Sequence, residues 1–429
     1  MRRFSLYDIC YLLSLPVITP PILYKMLFKK KYRTSFRGMI GKDISENDRE
    51  MFSDARTCWI HAVSVGEVVA AQSIIREFKT QFPEYKILVS TVTETGHKKA
   101  HDTLKEADRI IFFPIDFSPV VRNFLSVYQP DVCILMESEL WPNFLRLAQK
   151  QGSRIFLCNG KMSKKSFSMY RTISFVFKKT LSGIDAFFMQ TEEDAEKFFL
   201  LTHYTGKIFV TGNCKFDSAP QPLSSSERDE MLRTFRFSSD ARLLVVGSTH
   251  QDEEKIILDA FEKVRNEYPH IKMIISPRHP ERFTYVREML TRTRWKVSCA
   301  SDPSVDNPDI FFLDQMGKLA RVYGLGQIAL VGGSFVPIGG HNLLEPLAHK
   351  VPVVYGPHVE KQKEIVRMVE TSGGGVRCEA PELTNTLLDF LRNEEKRREM
   401  GERGFNALSQ STGSARRTIE LMKTFIPGR

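Results

Sequence analysis

Apolar residues in this chain fall in short unbroken runs, separated by stretches where they recur every three or four positions. The runs at residues 58–63, 86–92, 109–113, 132–136, 154–157, 186–189 and 208–210 have the continuity of strands buried on both faces. Between them, residues 68–78 and 141–150 carry helical spacing. A second series begins at 242–246 and continues through 272–276, 295–299, 310–313, 328–331 and 352–355. Strand–helix alternation predicts an α/β fold with two doubly wound, Rossmann-like lobes of similar size, at 33–216 and 241–405. The polar stretch 217–240, with Ser224-Ser225-Ser226, reads as a linker between them, and 406–429 as a closing amphipathic helix. In such folds ligands bind at the carboxyl ends of strands, so two facing lobes would place a site in the cleft between them.

Residues 1–32 break this rhythm. Arg2-Arg3 precede a largely apolar stretch, 4–28, that contains Asp8, Lys25, Pro16, Pro20 and Pro21, and Lys29-Lys30-Lys31 follow. A stretch of about 25 residues is long enough to span a bilayer. The prolines and Asp8 make it a poor span, which leaves an interfacial or shallowly inserted anchor as the alternative, and no small-residue cleavage site stands out. The longer basic run, 29–37, lies on the side of the main body, which favours a body on the cytoplasmic face. Within it, Arg33 and Arg37 are candidates for phosphate groups at the membrane; the alternative is a set of solvated anchors without a specific ligand.

Charge adds to this picture. Lys and Arg number 61 against 51 Asp and Glu, a net charge of +10, which suits an anionic partner. No RNP-like aromatic motif and no Cys/His finger spacing occurs, which argues against nucleic acid. The seven cysteines are scattered without a CxxC pair, as buried thiols in a reducing compartment would be.

Candidate chemistry collects at strand ends. Glu67 opens a helix just after the first strand and is a candidate general base. The alternative is a plain helix-terminal carboxylate, whose pKa the helix dipole would lower. Glu137 and Glu139 follow another strand, ahead of Pro142, and either serve the site or cap a helix. Ser248 and Thr249 close the first strand of the second series, where hydroxyls suit phosphate contact. Arg278, between Pro277 and His279-Pro280, offers a guanidinium fork or is a surface turn residue. The stretch 331–356 runs strand, Gly332-Gly333, Gly339-Gly340, helical pattern, strand, the layout of an anion site at a helix start. His341, Glu345 and His349 are four apart, as on one helix face, but the HExxH pattern of zinc enzymes is absent, so no metal is expected.

Taken together, HAVSVGEVVAA, MESELWPN, NGKMSKKS, MQTEEDAEKF, VTGNCKFD, GSTH, SPRHPERF, DQMGKLARVY and VGGSFVPIGGHNLLEPLAHKVPVVYGPH cover nearly the whole body. In these motifs the chain resembles the bacterial 3-deoxy-D-manno-octulosonic acid (Kdo) transferases, inverting glycosyltransferases of the GT-B fold. The resemblance implies CMP-Kdo as donor, a lipid A precursor bisphosphate (lipid IVA) as acceptor, one or more Kdo residues added, no metal, and attachment to the inner membrane. It places Glu67 on the family's catalytic base. It places Pro277-Arg278, Met316-Gly317-Lys318 and Asn342-Leu343-Leu344-Glu345 on the CMP-binding segments; Gly339, Gly340 and His341 are further candidates from the glycine-loop pattern. The chain departs from the family pattern at Lys318, commonly Glu; at Lys161, more often Arg; and near Asp252, where Gly is usual. Two alternatives stay open: a GT-B transferase or epimerase for another nucleotide sugar such as a UDP-sugar, and a membrane-tethered binding protein on an inactive transferase fold.

Overall fold

The computed structural model describes residues 7–9, 12–13, 33–172, 181–203 and 207–426, with backbone alone at 33 and 34. The chain divides into two compact units, Met1–Ser218 with Ser411–Arg429, and Ala219–Gln410.

The first unit is built on β1 (Thr57–His61), β2 (Lys86–Thr91), β3 (Arg109–Phe112), β4 (Val132–Met136), β5 (Arg154–Gly160), β6 (Ala186–Met189) and β7 (Ile208–Val210). All neighbours pair parallel, in the order β3-β2-β1-β4-β5-β6-β7. β1 and β4 are buried along their whole length, as their unbroken apolar runs require. The strand order reverses between β1 and β4, so the loops leaving these two strands flank the crevice of the sheet. On one face, Val68, Ala71 and Ile75 of the helix Val65–Gln81 pack in one core with Ala415, Ile419 and Met422 of the helix Ser414–Met422. The terminal segment thus completes the core of the first unit. The closing helix expected at 406–429 is instead two helices, Glu394–Ser411 and Ser414–Met422, broken at Gly413, whose φ of +83° is costly for other residues.

The second unit repeats the plan with β8 (Arg242–Thr249), β9 (Ile271–Pro277), β10 (Val297–Cys299), β11 (Ile310–Phe312), β12 (Ile328–Val331), β13 (Val353–Tyr355) and β14 (Gly375–Arg377), ordered β10-β11-β9-β8-β12-β13-β14 and parallel throughout. Its reversal lies between β8 and β12. The stretch 217–240, expected as a linker, is largely folded into this unit. Its serine run caps the helix Ser225–Thr234: Ser224 Oγ accepts from Glu227 N–H, and the Glu227 carboxylate accepts from Ser224 N–H at 2.9 Å. Leu232 is buried and Phe235 stacks on Phe311 at 4.3 Å.

The anchor expected at 1–32 lies outside the described residues except at 7–9 and 12–13. Asp8 belongs to the body of the first unit. It is fully buried, and its carboxylate accepts from Ser118 N–H at 2.8 Å and Asn143 Nδ2 at 3.1 Å. Among the described residues no helix is long and apolar enough to cross a membrane. Arg37 is exposed on the helix Arg33–Met39; the side chain of Arg33 lies outside the described residues.

Candidate functional site

In the first unit the site forms where β1 and β4 end. The chain leaves β1 and turns at Ser64 into the helix Val65–Gln81, which puts Glu67 in its first turn. Glu67 folds back over the turn: one carboxylate oxygen accepts from Val63 N–H at 2.9 Å, the other from Ser64 Oγ at 2.9 Å. Only 5% of the residue is exposed. Burial pushes its carboxyl up to about 7 and outweighs the Val63 hydrogen bond, and the charges of Glu137 and Glu139 push the same way. This corrects the lowering expected from the helix dipole, because lost hydration of a buried carboxylate exceeds what one helix end supplies. The preceding His61 is buried, stacked on Phe113 at 3.8 Å, and burial pushes its imidazole down to about 3, so it packs as a neutral ring.

Glu137 leaves β4 at a φ of +60°, an uncommon conformation for a side-chain-bearing residue. Its carboxylate lies between two ammonium groups, Lys161 Nζ at 2.9 Å and Lys215 Nζ at 3.2 Å. Glu139 is half-buried, and burial, then the Glu137 charge, raises its pKa. The structure therefore brings Glu67, Glu137 and Glu139 within electrostatic reach. Sequence reasoning missed Lys161 and Lys215 as partners; their signal is the lysine in each of NGKMS and VTGNCKFD.

In the second unit the glycine-rich stretch differs from expectation. The amides of Gly333, Ser334 and Phe335 converge as an anion nest would, at 2.7, 3.0 and 2.9 Å from an acceptor. That acceptor is the buried carboxylate of Glu253, which also takes His250 N–H at 2.9 Å. A glutamate on the neighbouring helix Glu253–Glu267 thus fills the place a phosphate was expected to take. Gly333 has a φ of +66°, and a Cβ there would lie 2.7 Å from the His341 ring, so glycine is required. Gly339 and Gly340 also have positive φ, and the Gly340 amide donates to Gly333 O at 2.7 Å.

The expected helix after the loop shortens to Leu344–Leu347. His341, Glu345 and His349 accordingly do not share a helix face. His349 is held by Leu223 N–H at 3.2 Å and Ala320 O at 2.8 Å, while His341 turns to His250. Asn342 Oδ1 accepts from Leu344 N–H at 3.1 Å and its Nδ2 donates to Glu345 at 3.3 Å, which orients that carboxylate. Leu343 and Leu344 are buried, so only their backbone groups are available to a ligand.

Ser248 sits at a φ of +59°, where β8 shifts register against β9, and is 9% exposed. The Thr249 hydroxyl is fully buried and donates to Glu254 at 2.8 Å, which removes it from ligand contact. Pro277 ends β9, and the exposed Arg278 is fixed by its amide on Thr249 O at 3.0 Å. Met316 is 51% exposed, Gly317 has a φ of +81° with open space around it, and Lys318 is exposed at the start of Leu319–Val322. Arg278 and Lys318 thus present side-chain cations on the surface, whereas the Thr249 hydroxyl is engaged within the fold.

Comparison with known proteins gives a consistent result. A family model described as 3-deoxy-D-manno-octulosonic-acid transferase (kdotransferase) matches residues 36–218. The 3-deoxy-D-manno-octulosonic acid transferase of Haemophilus influenzae is 32% identical over 86% of this chain and 87% of the relative. The protein of the same name from Chlamydia pneumoniae is 29% identical over 98% of this chain and 96% of its own length. Among solved structures, UDP-GlcNAc 2-epimerase from Neisseria meningitidis bound to UDP-GlcNAc superposes with a TM-score of 0.56 over 86% of this chain and 100% of its own. At 14% identity that likeness speaks to the fold alone.

Proposed function

We propose, from the premise that this chain belongs to the 3-deoxy-D-manno-octulosonic acid transferase family, that it moves Kdo from CMP-Kdo to a hydroxyl of a lipid A precursor bisphosphate with inversion. The observation that carries the mechanism is Glu67, a carboxyl poised at about 7 at the crevice of its sheet. A general base works best when its pKa lies near the working pH. The acceptor hydroxyl attacks the anomeric carbon, its proton passes to Glu67, and the bond to the phosphate breaks with its electron pair leaving on CMP. Asn342 and Glu345 are read as contacts to the nucleotide's hydroxyl groups, Met316 to Lys318 as a wall of that site, and Arg278 as a counter-charge to the phosphate. Such side-chain cations support a reaction without a metal ion, in which case EDTA leaves the rate unchanged. The exposed Arg37 and the basic run 29–37 support placement at the cytoplasmic face of the inner membrane, with residues 1–32 as the anchor.

The test is incubation of the purified full chain with a lipid A precursor and either CMP-Kdo or UDP-sugars, with the product read by mass spectrometry. Transfer from CMP-Kdo is expected, and the added mass counts the Kdo residues. Transfer from UDP-sugars alone would overturn this reading.

A further inference from the structure

Four neighbouring strands of the second sheet, β9, β8, β12 and β13, each send nitrogen-bearing side chains from their carboxyl ends into one neighbourhood. Arg278 and His279 follow β9, His250 follows β8, His341 follows β12 and Lys361 follows β13. His250 Nε2 and His341 Nε2 are 2.7 Å apart with ring planes within 5° of parallel. The His279 ring stands edge-on to His250 at 5.1 Å. Lys361 lies along the same loop, since a Cβ on Gly339 would touch its side chain at 2.8 Å.

The two permanent cations of this cluster are not cancelled internally. Glu254 is engaged by Arg282 at 2.6 Å, Glu281 lies 3.8 Å from His279 Nδ1 and Glu360 3.9 Å from His358 Nδ1, and among the described residues neither Arg278 nor Lys361 has a carboxylate at ion-pair distance. A 2.7 Å nitrogen–nitrogen contact holds one proton, so one imidazole donates and the other accepts. A second proton is resisted: burial, then the charges of Arg278, His250 and Lys361, pushes His341 down to about 3, and burial with His279 and Arg282 lowers His250 against the opposing pull of Glu254. What lowers the energy of such a cluster is an anion. The nearby backbone nest cannot hold it, because Glu253 occupies the amides of Gly333 to Phe335.

We propose that His250, His279, His341 and Lys361 complete, around Arg278, a side-chain subsite for the phosphate group of the nucleotide donor. The proposal rests on the donor reading above for the nucleoside, and on the cluster itself for the anion. With one N–H spent between the two Nε2 atoms, the neutral histidine pair has one N–H left to donate, the Nδ1–H of the accepting ring, and Lys361 and Arg278 supply the charge.

Calorimetric titration of the full chain with CMP and with cytidine isolates the phosphate. CMP is expected to bind far more tightly than cytidine. His341→Gln and Lys361→Gln are each expected to weaken CMP by roughly tenfold to a hundredfold, the size of a charge-assisted hydrogen bond, and to leave cytidine unchanged. Lys361 is exposed, so its replacement tests the subsite without threatening the fold. Equal losses for CMP and cytidine, or no loss for either, would overturn the subsite. Binding of uridine and UMP in place of cytidine and CMP, with the same phosphate increment lost in both variants, would support the subsite and overturn the donor.

Discussion

Glu67 accepts two hydrogen bonds that favour its ionised form, yet burial and the neighbouring carboxylates prevail, and it titrates at about 7. A base acts in its deprotonated form, so kcat/KM for transfer should rise with pH through about 7 and level off above it. Glu67→Gln should lower transfer by roughly a hundredfold to ten-thousandfold while CMP still binds, because the nucleotide contacts proposed here belong to the second unit. Glu137→Gln removes one negative neighbour and leaves Lys161 and Lys215 without their carboxylate. Both changes favour ionised Glu67, so the rising limb should move to lower pH. A pH–rate profile of that variant with an unmoved limb would take Glu67 out of the role. The sequence located Glu67 through its place at a strand end, but helix-end reasoning gave the wrong direction for its pKa. Burial depth and the approach of Glu137 are set by β4, whose contact with β1 joins residues far apart in the chain.

At the scale of elements, the loop after β12 is held in shape by Glu253 rather than by a ligand. Glu253→Ala would strip the acceptor from the amides of Gly333, Ser334 and Phe335. Buried amides without partners should cost at least about 3 kcal/mol together, readable as a lowered denaturation midpoint in urea. A stability equal to the parent's would mean that water replaces the carboxylate. The glycines announced a tight loop, and that much was legible; the occupant of the nest was not, since Glu253 looks in the sequence like any acidic residue in a first helical turn. Strands were legible wherever both faces are buried, because burial writes an unbroken apolar run, as in β4 and β12. β14 was missed because it is three residues long, only partly buried, and begins on glycine. Ser224-Ser225-Ser226 read as linker composition, although serine is equally a helix cap.

At the scale of the molecule, the alternation of strand and helix was enough to give two parallel α/β units, because each period reports a local geometry. Their membership was not, because no local pattern tells the helix Ser414–Met422 to return to the first unit. That return is tied by Asp217, whose carboxylate accepts from Ala415 N–H at 2.7 Å, and by Thr418 Oγ1 on Thr211 Oγ1 at 2.9 Å. Removing residues 414–429 should therefore uncover the Val68–Ile75 face of the first unit and leave the second unit's β8–β14 sheet intact. Limited proteolysis that cuts only the first unit would confirm this, and a truncated chain as resistant as the parent would contradict it.

The same arrangement sets an order on the ribosome. The second unit, Ala219–Gln410, is one uninterrupted stretch and is whole once its last residue is made. The first unit begins earlier but lacks part of its core until the final helix emerges. At roughly 5–20 residues per second, its early residues wait roughly 10–40 s for the intervening unit to be synthesised. During that interval the apolar face that Ala415, Ile419 and Met422 will cover stands open to water. The part of the protein made first is the part finished last.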